Sequence, residues 1–182
     1  MNIKTEVWSP ASPILHSVFD PFIAATGMHI YVILCNDDEN GDAYDAYGAS
    51  VQCYDTVTEA RSFRLAVTEN MGSTYGASAV TLGDCIYLVG GFDKLCAEYN
   101  IHTDTWRSLE SCLQVRIFGS TAVFGGKIVL LGGGTNAEDL GRTETDSVEC
   151  YDVDKNEWRD MELKLPVSMC GGHYAIVVNV AT

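Results

Sequence analysis

The tightest constraint on this chain is that it repeats itself. Three short apolar runs share one shape: HIYVILCN at 29–36, CIYLVGGF at 85–92 and KIVLLGGG at 127–134, led by Ile30, Ile86 and Ile128. A second element follows each: VQCYD at 51–55, CAEYN at 96–100 and VECYD at 148–152, carrying Tyr54, Tyr99 and Tyr151. A tryptophan comes third, Trp106 seven residues after Tyr99 and Trp158 seven after Tyr151. Trp106 lies 22 residues before Ile128, and Trp8 lies the same 22 before Ile30. Between Tyr54 and Ile86 there is no tryptophan, and Phe63 is assigned to that slot. The leading isoleucines are 56 and then 42 residues apart. A period of this length marks an array of small units, none of which can bury its apolar face without a neighbour.

Each unit also holds a strand of small residues ahead of the isoleucine strand: FIAAT (22–26), GASAVTL (76–82), GSTAVF (119–124) and, at the end, GHYAIVVNV (172–180). Small side chains suit a crowded inner position. The isoleucine strands are near-continuously apolar, as expected for strands covered on both faces. Tyrosine and tryptophan supply large wedges, each burying on the order of 150–250 Å². The glycines of KIVLLGGGTN could open a phosphate loop, but no helix or Lys-Ser/Thr follows them. Their twin in CIYLVGGFDK ends the same way. Gly90, Gly91, Gly132 and Gly133 are therefore expected where backbones approach closely or dihedrals turn unusual.

IYLVGG…AEYNIHTDTWRSL and IVLLGG…SVECYDVDKNEWRDM resemble kelch repeats, with the double glycine, the Tyr-Asp or Tyr-Asn and the tryptophan in order. The first unit is degenerate, with Leu34-Cys35 at the double glycine. The resemblance covers nearly the whole chain. It implies an all-β fold: a kelch-type β-propeller of about three complete four-stranded blades, with a stray outer strand at the N-terminus and a stray inner strand at the C-terminus. The expected divisions are 1–14 for the stray outer strand, 20–68, 75–113 and 117–165 for repeats 1 to 3, and 171–180 for a ring-closing inner strand. Both ends look like open halves of a larger ring, so the expectation is the C-terminal half of a six-bladed propeller or a truncated product. Open strand edges make such a chain marginal alone, or prone to pair with a copy.

Composition narrows the function. The 182 residues are 47% hydrophobic, an ordinary globular balance, and no apolar run approaches the roughly 18 residues of a membrane-spanning helix. The N-terminal MNIKTEVWSPASP lacks the apolar stretch of a secretory leader, and neither end carries a lipidation motif. A net charge of −14 argues against nucleic acid and anionic membrane surfaces, and is compatible with a basic partner. Seven cysteines without C-x-x-C or zinc spacing read as buried free thiols of a cytoplasmic protein. Hydrolase, metalloprotease and P-loop signatures are absent, and the four histidines are scattered, so neither an enzyme nor a cofactor is expected.

Long polar connections mark a binding rim. In an antiparallel blade the connections from the second to the third strand, and from each blade to the next, share one rim. The first of these, 36–49, carries five carboxylates, and the third spans 134–147. Asn36, Asp38, Asn40 and Gly41 fit part of a calcium-loop pattern, but Tyr47 stands where its glutamate belongs, so no metal is expected. The kelch resemblance places Arg116 at a position where many substrate adaptors carry an arginine facing the central cavity. With it the expected rim comprises Thr135, Asn136, Ser73, Tyr75, Asp93 and Asn36. The resemblance is strongest to the BTB-kelch subgroup and implies capture of a protein or peptide substrate for a cullin-3 ubiquitin ligase. Cullin-3 would be reached only through BTB and BACK domains, which the 182 residues do not contain. An actin-binding kelch protein, or a truncated chain without independent function, are the alternatives.

Overall fold

A computed structural model of the chain describes residues 13, 21–35, 49–64, 71–135 and 143–171. Among these residues there are twelve strands and no helix. Strands β1 (Phe22–Thr26), β2 (His29–Cys35), β3 (Ala49–Asp55) and β4 (Arg61–Arg64) form one antiparallel sheet in that spatial order. The second sheet is β5 (Ala77–Leu82), β6 (Cys85–Gly90), β7 (Leu95–Asn100) and β8 (Thr105–Ser108). The third is β9 (Ser120–Phe124), β10 (Lys127–Leu131), β11 (Ser147–Asp152) and β12 (Glu157–Lys164). These are three blades of a partial β-propeller. Trp8 and the expected closing strand at 171–180 lie outside the described residues, except for Gly171.

The small-residue strands β1, β5 and β9 lie side by side at the inner edge. Their short polar side chains stitch the blades together there: Ser78 Oγ meets Thr121 Oγ1 at 2.8 Å, and Thr81 Oγ1 donates to the Ala25 carbonyl at 3.0 Å. Further out, alternation along each strand divides its side chains between two neighbours. On β6, Ile86 and Leu88 pack toward the first blade with Tyr31, Ile33, Val51 and Tyr99. Tyr87 and Val89, on the opposite face, pack toward the third with Ile128, Leu130, Tyr151 and Trp158. The core is thus two apolar layers between three blades.

The tyrosine–tryptophan spacing becomes a cross-strand pair. Tyr99 faces Trp106 and Tyr151 faces Trp158, with ring centroids 5.2 and 5.1 Å apart. Each tyrosine hydroxyl donates at 2.6 Å to the turn beyond, Tyr99 to Asp104 Oδ1 and Tyr151 to Asn156 Oδ1. In the first blade the register corrects the sequence reading. Tyr54 faces Arg61, whose guanidinium carbon lies 4.8 Å from the ring centroid, while Phe63 faces Gln52 and is 41% exposed. Arg61 is the residue seven after Tyr54, so the short interval, not the distance to the next isoleucine, identifies the slot.

Candidate functional site

Connections β1–β2, β5–β6 and β9–β10 are tight two-residue turns, and they share one rim with the β3–β4, β7–β8 and β11–β12 turns. The other rim is less uniform. Its β2–β3, β6–β7 and β10–β11 connections occupy 36–48, 91–94 and 132–146.

The double glycines are the slots into which this rim is built. Gly91 has φ +75°, and a Cβ there would lie 2.8 Å from the Tyr75 carbonyl oxygen. Gly132 has φ +59°, and its Cβ would lie 2.8 Å from the Met169 carbonyl oxygen. Both reasons for glycine, left-handed backbone and close approach, hold together. The segment that follows each blade also closes on its glycine pair. The Gly91 N–H donates to the Arg116 carbonyl at 2.8 Å, and the Gly133 N–H donates to the Met169 carbonyl at 2.7 Å.

Arg116 organises the middle of the rim. Beyond it, Ile117 and Gly134 exchange backbone bonds of 2.9 and 2.8 Å, and Gly134 in turn bridges Glu144. Thr145 N–H to Gly133 O at 3.0 Å and Thr135 N–H to Thr143 O at 2.9 Å continue this short ladder. The guanidinium lies beneath. Nε and Nη2 donate to Glu149 Oε1 at 3.0 and 2.8 Å, and Nη1 donates to the carbonyls of Gly132 at 3.0 Å and Ser147 at 3.3 Å. Nη2 also reaches Ser147 Oγ. The other Glu149 oxygen accepts from the Leu113 N–H at 3.0 Å. Both side chains are 0% exposed. The expected cavity-facing arginine is therefore an internal group that shapes the rim from below, because Glu149 and the ends of β10 and β11 supply it with partners.

Ser73, Tyr75 and Asp93 come together at the β6–β7 turn. Ser73 is buried, and its N–H donates to Asp93 Oδ2 at 2.7 Å. The exposed Asp93 thereby ties down the segment entering the second blade. Tyr75 is half-buried, and its ring meets Phe118 edge-on at 5.3 Å. Thr135, half-buried above the Arg116 ladder, donates its hydroxyl to the Thr143 carbonyl at 3.2 Å. Asn36, Asn136 and the partial calcium pattern lie outside the described residues.

Two residues of the site were missed in the sequence. Glu149 was visible inside VECYD as a carboxylate where the second repeat has Ala97. Phe118 has φ +56°, and the positions matching it by hydrogen-bond pattern are Gly76 and Gly171, both at φ +69°. A bulky residue in the left-handed region is unusual and costs strain.

Two lysines pair with carboxylates near the ends of β10 to β12. Lys164 holds the Asp146 carboxyl below the usual carboxylate range, and Lys127 does the same for Asp152. Burial pushes the thiol of Cys112 up to about 12 and that of Cys96 higher still. Among the described residues no group of three or more His, Cys, Asp or Glu side chains is arranged to hold a metal ion.

The profile of the kelch motif matches residues 73–113 and 116–162, the second and third blades. Kelch repeat and BTB domain-containing protein 2 of Pongo abelii is 31% identical over 87% of this chain and 25% of its own length. Kelch-like protein 21 of Mus musculus is 33% identical over 59% of this chain and 17% of its own. Kelch-like protein 23 of Homo sapiens is 23% identical over 98% of this chain and 30% of its own. The chain spans less than a third of the length of each of these relatives. The repeated sequence signature, the three four-stranded blades and these matches agree: the chain belongs to the kelch-repeat proteins and is a relative of the BTB-kelch group.

Proposed function

We propose that the chain is the partner-binding part of a substrate adaptor, and that the rim carrying the β2–β3, β6–β7 and β10–β11 connections is its binding face. The observation that carries this reading is the contrast between the rims. One is closed by tight turns, while the other varies from four residues at 91–94 to fifteen at 132–146. Variable connections on a rigid scaffold are where recognition is normally placed. This is a reading of binding, and the described residues offer groups for it: the half-buried Tyr75 and Phe118 rings, the exposed Asp93 and the Thr135 ladder.

The partner is a protein segment with basic character, suited to a chain of net charge −14. In the full-length parent the bound substrate is presented to a cullin-3 ubiquitin ligase, with the BTB part making that link. The BTB domain in the name of one relative supports this step. Peptide display against the immobilised chain tests the rim, with Tyr75→Ala, Asp93→Ala and Thr135→Ala compared with His102→Ala and Asp154→Ala on the opposite rim. Loss of binding in the first set alone supports the proposal. Co-precipitation of cullin-3 with the full-length parent, and its loss on BTB deletion, tests the ligase link.

A further inference from the structure

We infer that Arg116 is a positioning residue, a latch that fixes two neighbouring rim connections relative to each other without touching the partner. Its main chain and its side chain hold different blades. The main chain pairs with Gly91, whose N–H donates to the Arg116 carbonyl at 2.8 Å, and so grips the start of the β6–β7 turn of the second blade. The side chain binds the carbonyls of Gly132 and Ser147 and the carboxylate of Glu149, all in the third blade. Gly132 and Ser147 are the two stems of the β10–β11 connection. One planar guanidinium can span both carbonyls and a carboxylate because its donors are fixed in a fork, which a lysine ammonium cannot reproduce.

The second blade shows what the position looks like without the latch. By the repeated hydrogen-bond pattern, Thr74 stands where Arg116 stands in the third blade. By spacing from the repeat tyrosine, Ala97 stands where Glu149 does. There the connection is the short 91–94 turn, held by main-chain bonds between Gly91 and Arg116 and by the Ser73 N–H on Asp93. Of these two blades, the charged pair belongs to the one with the long connection. An arginine meant to bind a partner would leave donors at the surface. Here all three guanidinium nitrogens are engaged inside the fold, and the side chain is 0% exposed.

This inference rests on the binding rim proposed above only for its consequence; the latch itself is measured without a partner. Hydrogen exchange is followed in the full chain for wild type, Arg116→Lys and the double variant Arg116→Met/Glu149→Leu, which removes both charges and leaves neither buried alone. Loss of the latch should speed exchange of the Gly134, Thr135 and Thr145 amides about tenfold while the Leu88 and Tyr99 amides change less than about twofold. Arg116→Lys should fall between the two. Equal change at rim and core amides, or none at the rim, overturns the latch. The second arm uses a peptide selected on the wild-type rim, whose affinity should weaken by about tenfold in the double variant. Unchanged affinity with a loosened rim overturns the positioning role. If no peptide binds wild type but the rim amides respond as expected, the latch stands and the binding-rim reading fails.

Discussion

Replacing Gly91 by alanine should cost about 1–3 kcal/mol, because a left-handed φ of +75° coincides with a Cβ 2.8 Å from the Tyr75 carbonyl oxygen. Gly126 is the control: its φ is +74°, but nothing lies within 4 Å of a Cβ, so Gly126→Ala should cost about 1 kcal/mol or less. Urea unfolding of both variants checks the difference, and equal losses would remove close approach as a reason for the double glycine. Arg116→Ala should destabilise by about 3–5 kcal/mol, since Glu149 would be left charged and fully enclosed. Arg116→Met/Glu149→Leu should recover most of that loss. At this scale the sequence displayed the glycines clearly, since two identical pairs ended two equivalent strands. It did not display the fate of Arg116. The guanidinium could be assigned to a cavity or to the interior only after its distance to Glu149, 33 residues away, was known.

Between blades, the tyrosine–tryptophan pair is the stabilising unit. Trp158 packs on Tyr151, and its Nε1–H donates to the Glu110 carbonyl of the preceding blade at 2.9 Å. Trp158→Ala should therefore cost about 3–5 kcal/mol. Phe63→Ala, at an exposed position, should cost less than about 1 kcal/mol. A thermal melt of each variant separates the two, and comparable losses would return Phe63 to the wedge slot. Strand order was legible because the repeats share intervals, but the outer register of the first blade was not: arginine stands seven residues after Tyr54 where the other two blades have tryptophan, which left Phe63 as the aromatic for that slot. The buried thiols add a test. With Cys96 and Cys112 both pushed well above the ordinary thiol range by burial, neither forms thiolate readily near neutral pH. Native-state alkylation at these two sites should be slow and should accelerate on unfolding; rapid native labelling would place them outside the core.

Across the whole molecule, paired carboxylates set the acid limit. Backbone N–H groups of Thr58 and Val57 hold Asp55 below its usual range, and Lys164 and Lys127 lower Asp146 and Asp152. Between the lowered native values and the ordinary value near 4, the unfolded chain binds more protons, so stability rises with pH through that window and is lost as pH falls through it. Acidification also relieves the self-repulsion of a −14 chain, an effect of opposite sign. Comparing wild type with Lys127→Met/Lys164→Met isolates the pairs: below about pH 4 the variant should lose less on acidification than wild type. Parallel acid melts would show that these pairs contribute nothing. The blade architecture was readable from the repeats, whereas the choice of rim depended on connection length and chain reversal together. Asp93 and Ser73 are 20 residues apart, and only the second blade's closure brings them to 2.7 Å.

Binding of a protein segment through one rim of this partial propeller is the proposal on which the rest depends. Isothermal titration with a display-selected peptide tests it most directly, on wild type, Tyr75→Ala/Asp93→Ala and His102→Ala/Asp154→Ala. Saturable one-to-one binding is expected, weakened at least about tenfold in the first double variant and unchanged in the second. Equal sensitivity to both rims, or to neither, would contradict it.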